Sequence, residues 1–302
     1  MSSGQDVPFV LGTGSVENED AYAVLDAYFA AGGRYLDTAR VYGRAEAVVG
    51  SWLADRGVRG DVVLLVKGGH PDSRWRPRLS RAAVFDDARA SLDDLGVDSV
   101  DSYLLHRDDP GQPVDAIAAV LTELVESGIA RAVGVSNWSS ERVELLLDAL
   151  ARNGGPPVSW VSNYFGLATV AAPSPYPGVR SAVPSLVDLA RRSGFPVLAW
   201  SGLSSGYFDG RRAAIFESAA NAARRDVLRS VAERHGASPT AVLARWMSTR
   251  PAIVAVFGSA DADHVVELIS AARDPRLDDP VADLVSTLGE AMDDIGDFPP
   301  GA

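Results

Sequence analysis

A (β/α)8 barrel, the α/β architecture known as the TIM barrel, is the fold class this 302-residue sequence predicts. Three observations carry the prediction. Eight short apolar runs alternate with longer amphipathic segments. Most of these runs are continuous in Val, Leu and Ile rather than alternating, as parallel strands covered on both faces require. The length suits one undivided α/β barrel, and neither a linker-like stretch nor an internal repeat divides it, so residues 1–302 read as a single domain.

The strands are expected at residues 9–11, 34–37, 62–67, 100–105, 132–135, 158–162, 196–200 and 253–256. The first helix, over 20–31, carries Ala21, Val24, Leu25 and Tyr28 on one face and stops at Gly32-Gly33. Ser80 precedes a helix over 83–95, where Val84, Ala88, Ser91, Leu92 and Leu95 form a buried stripe. A helix over 114–127 ends at Gly128, and Ser139 or Ser140 caps another over 143–152 before Gly154-Gly155. Pro184 suits the first position of a helix over 184–193 that ends at Gly194. Residues 213–249 hold two helices parted near Gly236 and Pro239, and Asp261 opens a last one through Ala272. A doubly wound sheet would instead need a glycine-rich dinucleotide loop after its first strand. Gly12-Thr13-Gly14-Ser15 lacks the third glycine and the spacing, and reads as a turn. Residues 171–178, with Pro173, Pro175 and Pro177, read as a long surface loop that shapes a pocket.

Composition narrows the function. With 28 Lys+Arg against 40 Asp+Glu, the formal charge is −12, and the basic footprint needed for nucleic acid or anionic lipid is missing. There are no cysteines, which excludes disulfides, thiol nucleophiles and cysteine metal sites. No apolar run reaches the length of about 18 residues needed to span a membrane. Met1-Ser2-Ser3-Gly4-Gln5-Asp6 has neither a basic nor an apolar leader segment, so the expectation is a soluble, cytoplasmic protein.

Chemistry in such barrels sits at the C-terminal ends of the strands. There the sequence sets Asp37 and, just beyond it, Tyr42; Lys67; His106; Ser136-Asn137; Ser162-Asn163; and Ser201. Lys67 closes the run Val62-Val63-Leu64-Leu65-Val66, where an ammonium is partly desolvated and needs a counter-charge that Asp37 on the next strand can supply. Taken singly, a strand-end lysine is as well explained as an ion-pair residue and a lone histidine as a structural one. Together, on three neighbouring strands, the four suit proton donation to a carbonyl undergoing reduction. A tyrosine of pKa about 10 is a poor acid at neutral pH, and a nearby ammonium lowers that value by stabilising the tyrosinate. The aspartate keeps the lysine charged, and the histidine hydrogen-bonds the carbonyl oxygen.

The runs Tyr35-Leu36-Asp37-Thr38-Ala39-Arg40-Val41-Tyr42-Gly43, Leu65-Val66-Lys67-Gly68, Tyr103-Leu104-Leu105-His106-Arg107-Asp108-Asp109-Pro110 and Val133-Gly134-Val135-Ser136-Asn137-Trp138 resemble the aldo-keto reductase signatures, in order. Similarity extends from about Gly12 to His264. The resemblance implies reduction of a carbonyl by a nicotinamide cofactor, with Asp37, Tyr42, Lys67 and His106 as the catalytic tetrad and Tyr42 as general acid. It also implies that Gly12, Thr13 and Asp37 border the cofactor and that Ser136 and Asn137 hold the nicotinamide carboxamide. Asn163 stands where glutamine is usual, and Trp200 stands where an aromatic stacks on the nicotinamide. Ser201, Leu203 and Ser205 fall in the segment that covers the pyrophosphate, and Gly258, Ser259, His264 and Glu267 in the segment at the adenine end.

That last segment departs from the family pattern. Residues 258–268 contain no Lys or Arg, carry Asp261 and Asp263, and have His264 where arginine is usual. The family implies NADP(H), with backbone N–H groups of the helix start and Ser259 left to bind the 2′-phosphate. The missing cations and the two aspartates make NAD(H) the rival. His70, Trp75 and Trp138 are expected to wall the substrate pocket, whose Asp, Arg and Trp rim leans toward a sugar or polyol. Asp108 and Asp109 read as loop and cap residues, and no metal-ligand spacing is present. The expected partner is a small carbonyl or alcohol. Two other functions fit the same residues: a cofactor-sensing scaffold with negligible turnover, and a lyase or isomerase using Lys67 as a Schiff-base amine.

Overall fold

The computed structural model describes residues 9–18, 21–171, 177–211 and 213–289. Eight parallel strands close into a barrel in chain order: β1 (Phe9–Gly12), β2 (Tyr35–Ala39), β3 (Val63–Gly68), β4 (Ser102–Leu105), β5 (Val133–Ser136), β6 (Val158–Tyr164), β7 (Val197–Trp200) and β8 (Ile253–Phe257). Every expected strand is present, and β8 pairs with β1 to leave no free edge.

The helices are α1 (Tyr22–Ala30), α2 (Ala45–Arg56), α3 (Arg81–Leu95), α4 (Val114–Glu126), α5 (Ser140–Arg152), α6 (Pro184–Ser193), α7 (Ala219–Arg234), α8 (Pro239–Ser248), α9 (Ala262–Arg273) and α10 (Asp278–Leu288). Of the two serines offered as caps for α5, Ser139 does the work, accepting from the Arg142 N–H at 3.3 Å. Two helices were not anticipated. In α2 the mid-helix Gly50 obscures the apolar stripe; it is there because a Cβ would lie 2.6 Å from the Asp94 carbonyl, where α2 crosses close to the end of α3. The second, α10, follows no strand; it packs on α7 and α8 through Pro280, Val281, Leu284 and Leu288. The amino-terminal hexapeptide, Asp20, and residues 172–176 of the proline-bearing loop lie outside the described residues.

Two apolar layers flank the strands. The larger fills the space between strands and helices, while Val10, Leu65, Leu104, Leu198, Val254 and Val256 form a separate cluster within the barrel. Leu65 belongs to that inner cluster, and the two-residue strand period puts Lys67 on the same face, one layer nearer the C-terminal rim. Asp37 is in register with Leu65, and Ala39 with Lys67, so both ionisable groups enter the top of the lumen from adjacent strands. No helix among the described residues is long and apolar enough to cross a membrane.

Candidate active site

At the rim the Lys67 ammonium donates to the Asp37 carboxylate in an ion pair buried on both sides. Asp37 is held from behind, because Thr13 gives both its backbone N–H (2.9 Å) and its hydroxyl (3.2 Å) to the Asp37 carbonyl. Tyr42 follows in a tight turn whose N–H bonds the Ala39 carbonyl at 2.9 Å, returning the phenol over the lumen. Lys67 Nζ lies 5.4 Å from the Tyr42 ring centroid. His106, just past β4, is fixed by its N–H to the Gly68 carbonyl at 2.8 Å, and its ring meets Tyr42 edge-on with centroids 5.8 Å apart. Only glycine serves at 68, since a Cβ there would sit 1.8 Å from the Tyr103 hydroxyl oxygen. Asp37, Tyr42, Lys67 and His106 thus converge from three adjacent strand ends.

Electrostatics at this cluster correct one expectation. Burial pushes the Tyr42 phenol above its ordinary value, and the opposing charges of Lys67 and Arg107 do not reverse that. The side chain is therefore a protonated phenol at neutral pH, and the stabilising effect of Lys67 falls on the tyrosinate that forms once the proton leaves. Burial works against the Lys67 ammonium too, but the neighbouring Asp37 and Tyr42 oxygens more than offset it and hold its pKa above the usual range. Burial, then the Lys67, Arg107 and His70 charges, drives His106 well below its normal pKa, so its imidazole is neutral. Its Nδ1 is buried without a partner among the described residues.

The residues expected along the cofactor divide into those already engaged and those with spare capacity. Ser136 gives its hydroxyl to the Ser162 carbonyl at 2.8 Å. Asn137, at φ 61°, spends its amide N–H groups on the His106 carbonyl (3.2 Å) and Ser136 Oγ (2.9 Å), and its oxygen accepts the Arg180 N–H at 3.2 Å. These two stitch β4, β5 and β6 together at the rim. Asn163 differs: its Nδ2 bonds the Trp138 and Ser181 carbonyls at 2.9 and 3.1 Å, leaving Oδ1 a buried acceptor with no partner. Trp200 meets the Tyr164 ring at 5.4 Å in a T-shaped contact, with its Nε1 also unpartnered. Past β7, Ser201, Ser204 and Ser205 all hold left-handed backbone (φ 58°, 49° and 54°), a strained run for non-glycine residues, with Leu203 half-buried between them.

At the far end, Gly258 and Ser259 lead from β8 into α9. Asp261 caps that helix, its carboxylate accepting the Asp263 and His264 N–H groups at 2.9 and 3.3 Å. Ser259 Oγ accepts the Asp261 N–H at 3.0 Å and lies 3.2 Å from His264 Nδ1. The N–H groups expected to be free for a 2′-phosphate are thus taken by the chain's own carboxylate. Glu267, one turn on, accepts the Ser238 hydroxyl at 3.3 Å, which ties it to the cap of α8.

Around the mouth, His70 sits 5.0 Å from His106 and 5.6 Å from Trp75, ring to ring, and Trp75 is 38% exposed. Trp138 does not wall an open pocket: it is wholly buried, with the Arg142 guanidinium 5.1 Å over its ring. Asp108 forks onto Arg142, and Asp109 caps a turn at Gly111, as loop residues do. Among the described residues no His/Asp/Glu group could hold a metal ion. Arg107, in the sequence only one residue of the His106 motif, is buried beside His106; a guanidinium directly after a strand-end histidine is the signal that marks it.

Comparison with known proteins gives a family match over nearly the whole described chain. The family described as "Aldo/keto reductase family" matches residues 8–289. The chain is similar to "Aldo-keto reductase str7" of Strobilurus tenacellus, 27% identical over 94% of this chain and 85% of that one. It is similar to "6-dehydroglucose reductase" of Novosphingobium aromaticivorans, 30% identical over 82% of this chain and 79% of the other. To "Methylglyoxal reductase DkgB" of Yersinia pestis it is 26% identical, over 79% and 77%.

Proposed function

The chain belongs to the aldo-keto reductase family, and from that premise we propose that it reduces an aldehyde or ketone to an alcohol at the expense of NAD(P)H, with Tyr42 as the proton donor. The observation that carries the reading is the convergence of a protonated phenol, a neutral imidazole and a buried ammonium–carboxylate pair on one rim of the barrel. A reduced nicotinamide, when bound, supplies a hydride to the carbonyl carbon. Tyr42 Oη gives its proton to the carbonyl oxygen, and Lys67, kept charged by Asp37, stabilises the tyrosinate left behind. Neutral His106 donates a hydrogen bond to the same oxygen without competing as an acid.

Asn163 and Trp200 support a nicotinamide site, the first through its unpartnered acceptor and the second as a half-buried indole on the neighbouring strand, in register with Tyr164, the residue after Asn163. Ser136 and Asn137 would act mainly by fixing the His106 backbone and the β6 end, while Ser201, Leu203 and Ser205 would cover the pyrophosphate. We put NAD(H) ahead of the NADP(H) the resemblance implies, because Asp261 both occupies the α9 N–H groups and adds negative charge where a 2′-phosphate would sit. The relatives named for 6-dehydroglucose and methylglyoxal reduction support a small, oxygen-rich carbonyl as substrate class. Residues 1–302 we treat as one catalytic domain, which the match over 8–289 supports.

Titration with NADH and NADPH, followed by quenching of the tryptophans, tests the reading. Micromolar binding, tighter for NADH, and cofactor oxidation with a panel of sugars, keto-sugars and small aldehydes is the expected result. Failure of both dinucleotides to bind would overturn it, and tighter binding of NADPH would overturn the cofactor preference alone.

A further inference from the structure

Arg107 is a buried cation that no carboxylate among the described residues pairs. The residue is 8% exposed. One guanidinium nitrogen, Nη1, donates to the His106 carbonyl at 2.8 Å, its only hydrogen bond among the described residues. Nε is buried without a partner, and Nη2 makes no hydrogen bond among the described residues, so the Nε–Nη2 edge is unused by them. Carboxylates on the neighbouring strand ends and loops are committed elsewhere: Asp37 to Lys67, Asp108 to Arg142, Asp87 to Arg78 and Asp72 to Arg76. Burial drags the guanidinium down to about 10, the tyrosine of the tetrad being the only group that pulls it upward, and it remains a cation at neutral pH.

Its position fixes what that charge can do. It acts on Tyr42, His70 and His106, the groups that surround the reacting carbonyl. Its Cδ lies 3.7 Å from where a Cβ on Gly178 would stand, which puts the stem under the loop that follows β6. With Asp37 and Lys67 neutralising one another and His106 uncharged, the site holds one surplus positive charge, within a chain whose formal charge is −12. A desolvated charge left unpaired is costly, and such a charge persists where something bound completes it.

We infer that Arg107 is a specificity-determining residue that receives the carboxylate of the substrate through its Nε–Nη2 edge, and that the preferred substrates are oxo carboxylates. This rests on the reductase reading of the same site. The planar Nε–Nη2 edge matches the two oxygens of a carboxylate, and an ammonium at the same place would not. In the reaction the carboxylate is unchanged. The carbonyl carbon gains the hydride, its oxygen gains the Tyr42 proton, and the product is a hydroxy carboxylate.

The test compares straight-chain ω-oxo carboxylates of increasing length with their methyl esters, on the full chain with its preferred nicotinamide cofactor, for wild type, Arg107→Met and Arg107→Lys. The wild type is expected to favour the acids. Arg107→Met should lower the acid-to-ester ratio of kcat/KM about a hundredfold, mainly through KM for the acids, and Arg107→Lys about tenfold. Calorimetric binding of the matching ω-hydroxy carboxylate to the cofactor-loaded protein gives a readout without turnover, and should weaken at least about tenfold in Arg107→Met. Thermal melts establish that both variants are folded. An unchanged ratio in a folded Arg107→Met protein, or a wild type that prefers the esters, would overturn the role of Arg107 and leave the reductase reading standing. Hydroxy carboxylate binding that depends on Arg107, with no carbonyl reduced at all, would do the reverse.

Discussion

At the Asp37–Lys67 end of the barrel mouth, opposite charges are paired and sealed from water, whereas at the α9 end a carboxylate sits exposed on a helix N-terminus. The first arrangement is set by strand register, since adjacent β2 and β3 put their side chains into the lumen at neighbouring levels. The second is set by a local competition, in which Asp261 takes the N–H groups that a bound anion would otherwise use. Charge pairing is therefore fixed by the fold at one end and left to a single replaceable side chain at the other.

Removing one partner at each end should expose the contrast. Asp37→Ala strands a buried ammonium and is expected to cost about 3–5 kcal/mol of stability, whereas Asp261→Ala loses an exposed cap worth about 1 kcal/mol. Urea unfolding followed by circular dichroism measures both; equal losses would break the comparison. The double variant Asp37→Ala/Lys67→Met should regain much of the stability and none of the turnover, because no uncompensated charge is left buried but two of the four tetrad side chains are gone.

The buried end should also be the acid-sensitive one. His106 is held far below its normal pKa, so below about pH 6.5 the unfolded chain binds a proton that the folded chain refuses. Its contribution is fully present above that pH and is lost as pH falls, by up to about 1.4 kcal/mol per pH unit. His70, shifted in the same direction by its partial burial, adds a smaller loss. Unfolding free energies of wild type and His106→Gln between about pH 7.5 and 5.5 test this, and parallel curves would remove His106 as the source.

The smallest effect belongs to the exposed end. Asp261→Ser keeps a capping oxygen while deleting the charge, and should raise NADPH affinity relative to NADH about fivefold, with stability changed by less than about 0.5 kcal/mol. Fluorescence titration reads the ratio, and an unchanged ratio would detach Asp261 from cofactor choice.

How much of this was legible in the sequence follows from the same contrast. All eight strands, and the meeting of Asp37, Lys67 and His106, are readable because two-residue periodicity and barrel order determine which strand ends are neighbours. The direction of the Tyr42 shift is not, since it depends on how completely the turn at Ala39 buries the phenol. Trp138 reads as a pocket wall until the Arg142 guanidinium is seen across its ring. For Ser136 and Asn137 the resemblance implies a carboxamide contact, whereas their hydrogen bonds to Ser162, His106 and Arg180, from strands and loops distant in sequence, are visible only in three dimensions. Arg107 stands in plain view within the His106 motif, and it is the lack of a carboxylate partner among the described residues that gives it meaning.

The central claim, that Tyr42 delivers the proton to a carbonyl under reduction, is tested most directly by Tyr42→Phe. Cofactor affinity by tryptophan fluorescence and turnover with the best carbonyl of the panel are to be measured on the same preparation. The predicted result is affinity within about threefold of wild type and turnover reduced at least about a hundredfold, the scale of a lost general acid. Turnover near the wild-type rate in a variant that still binds cofactor would contradict it.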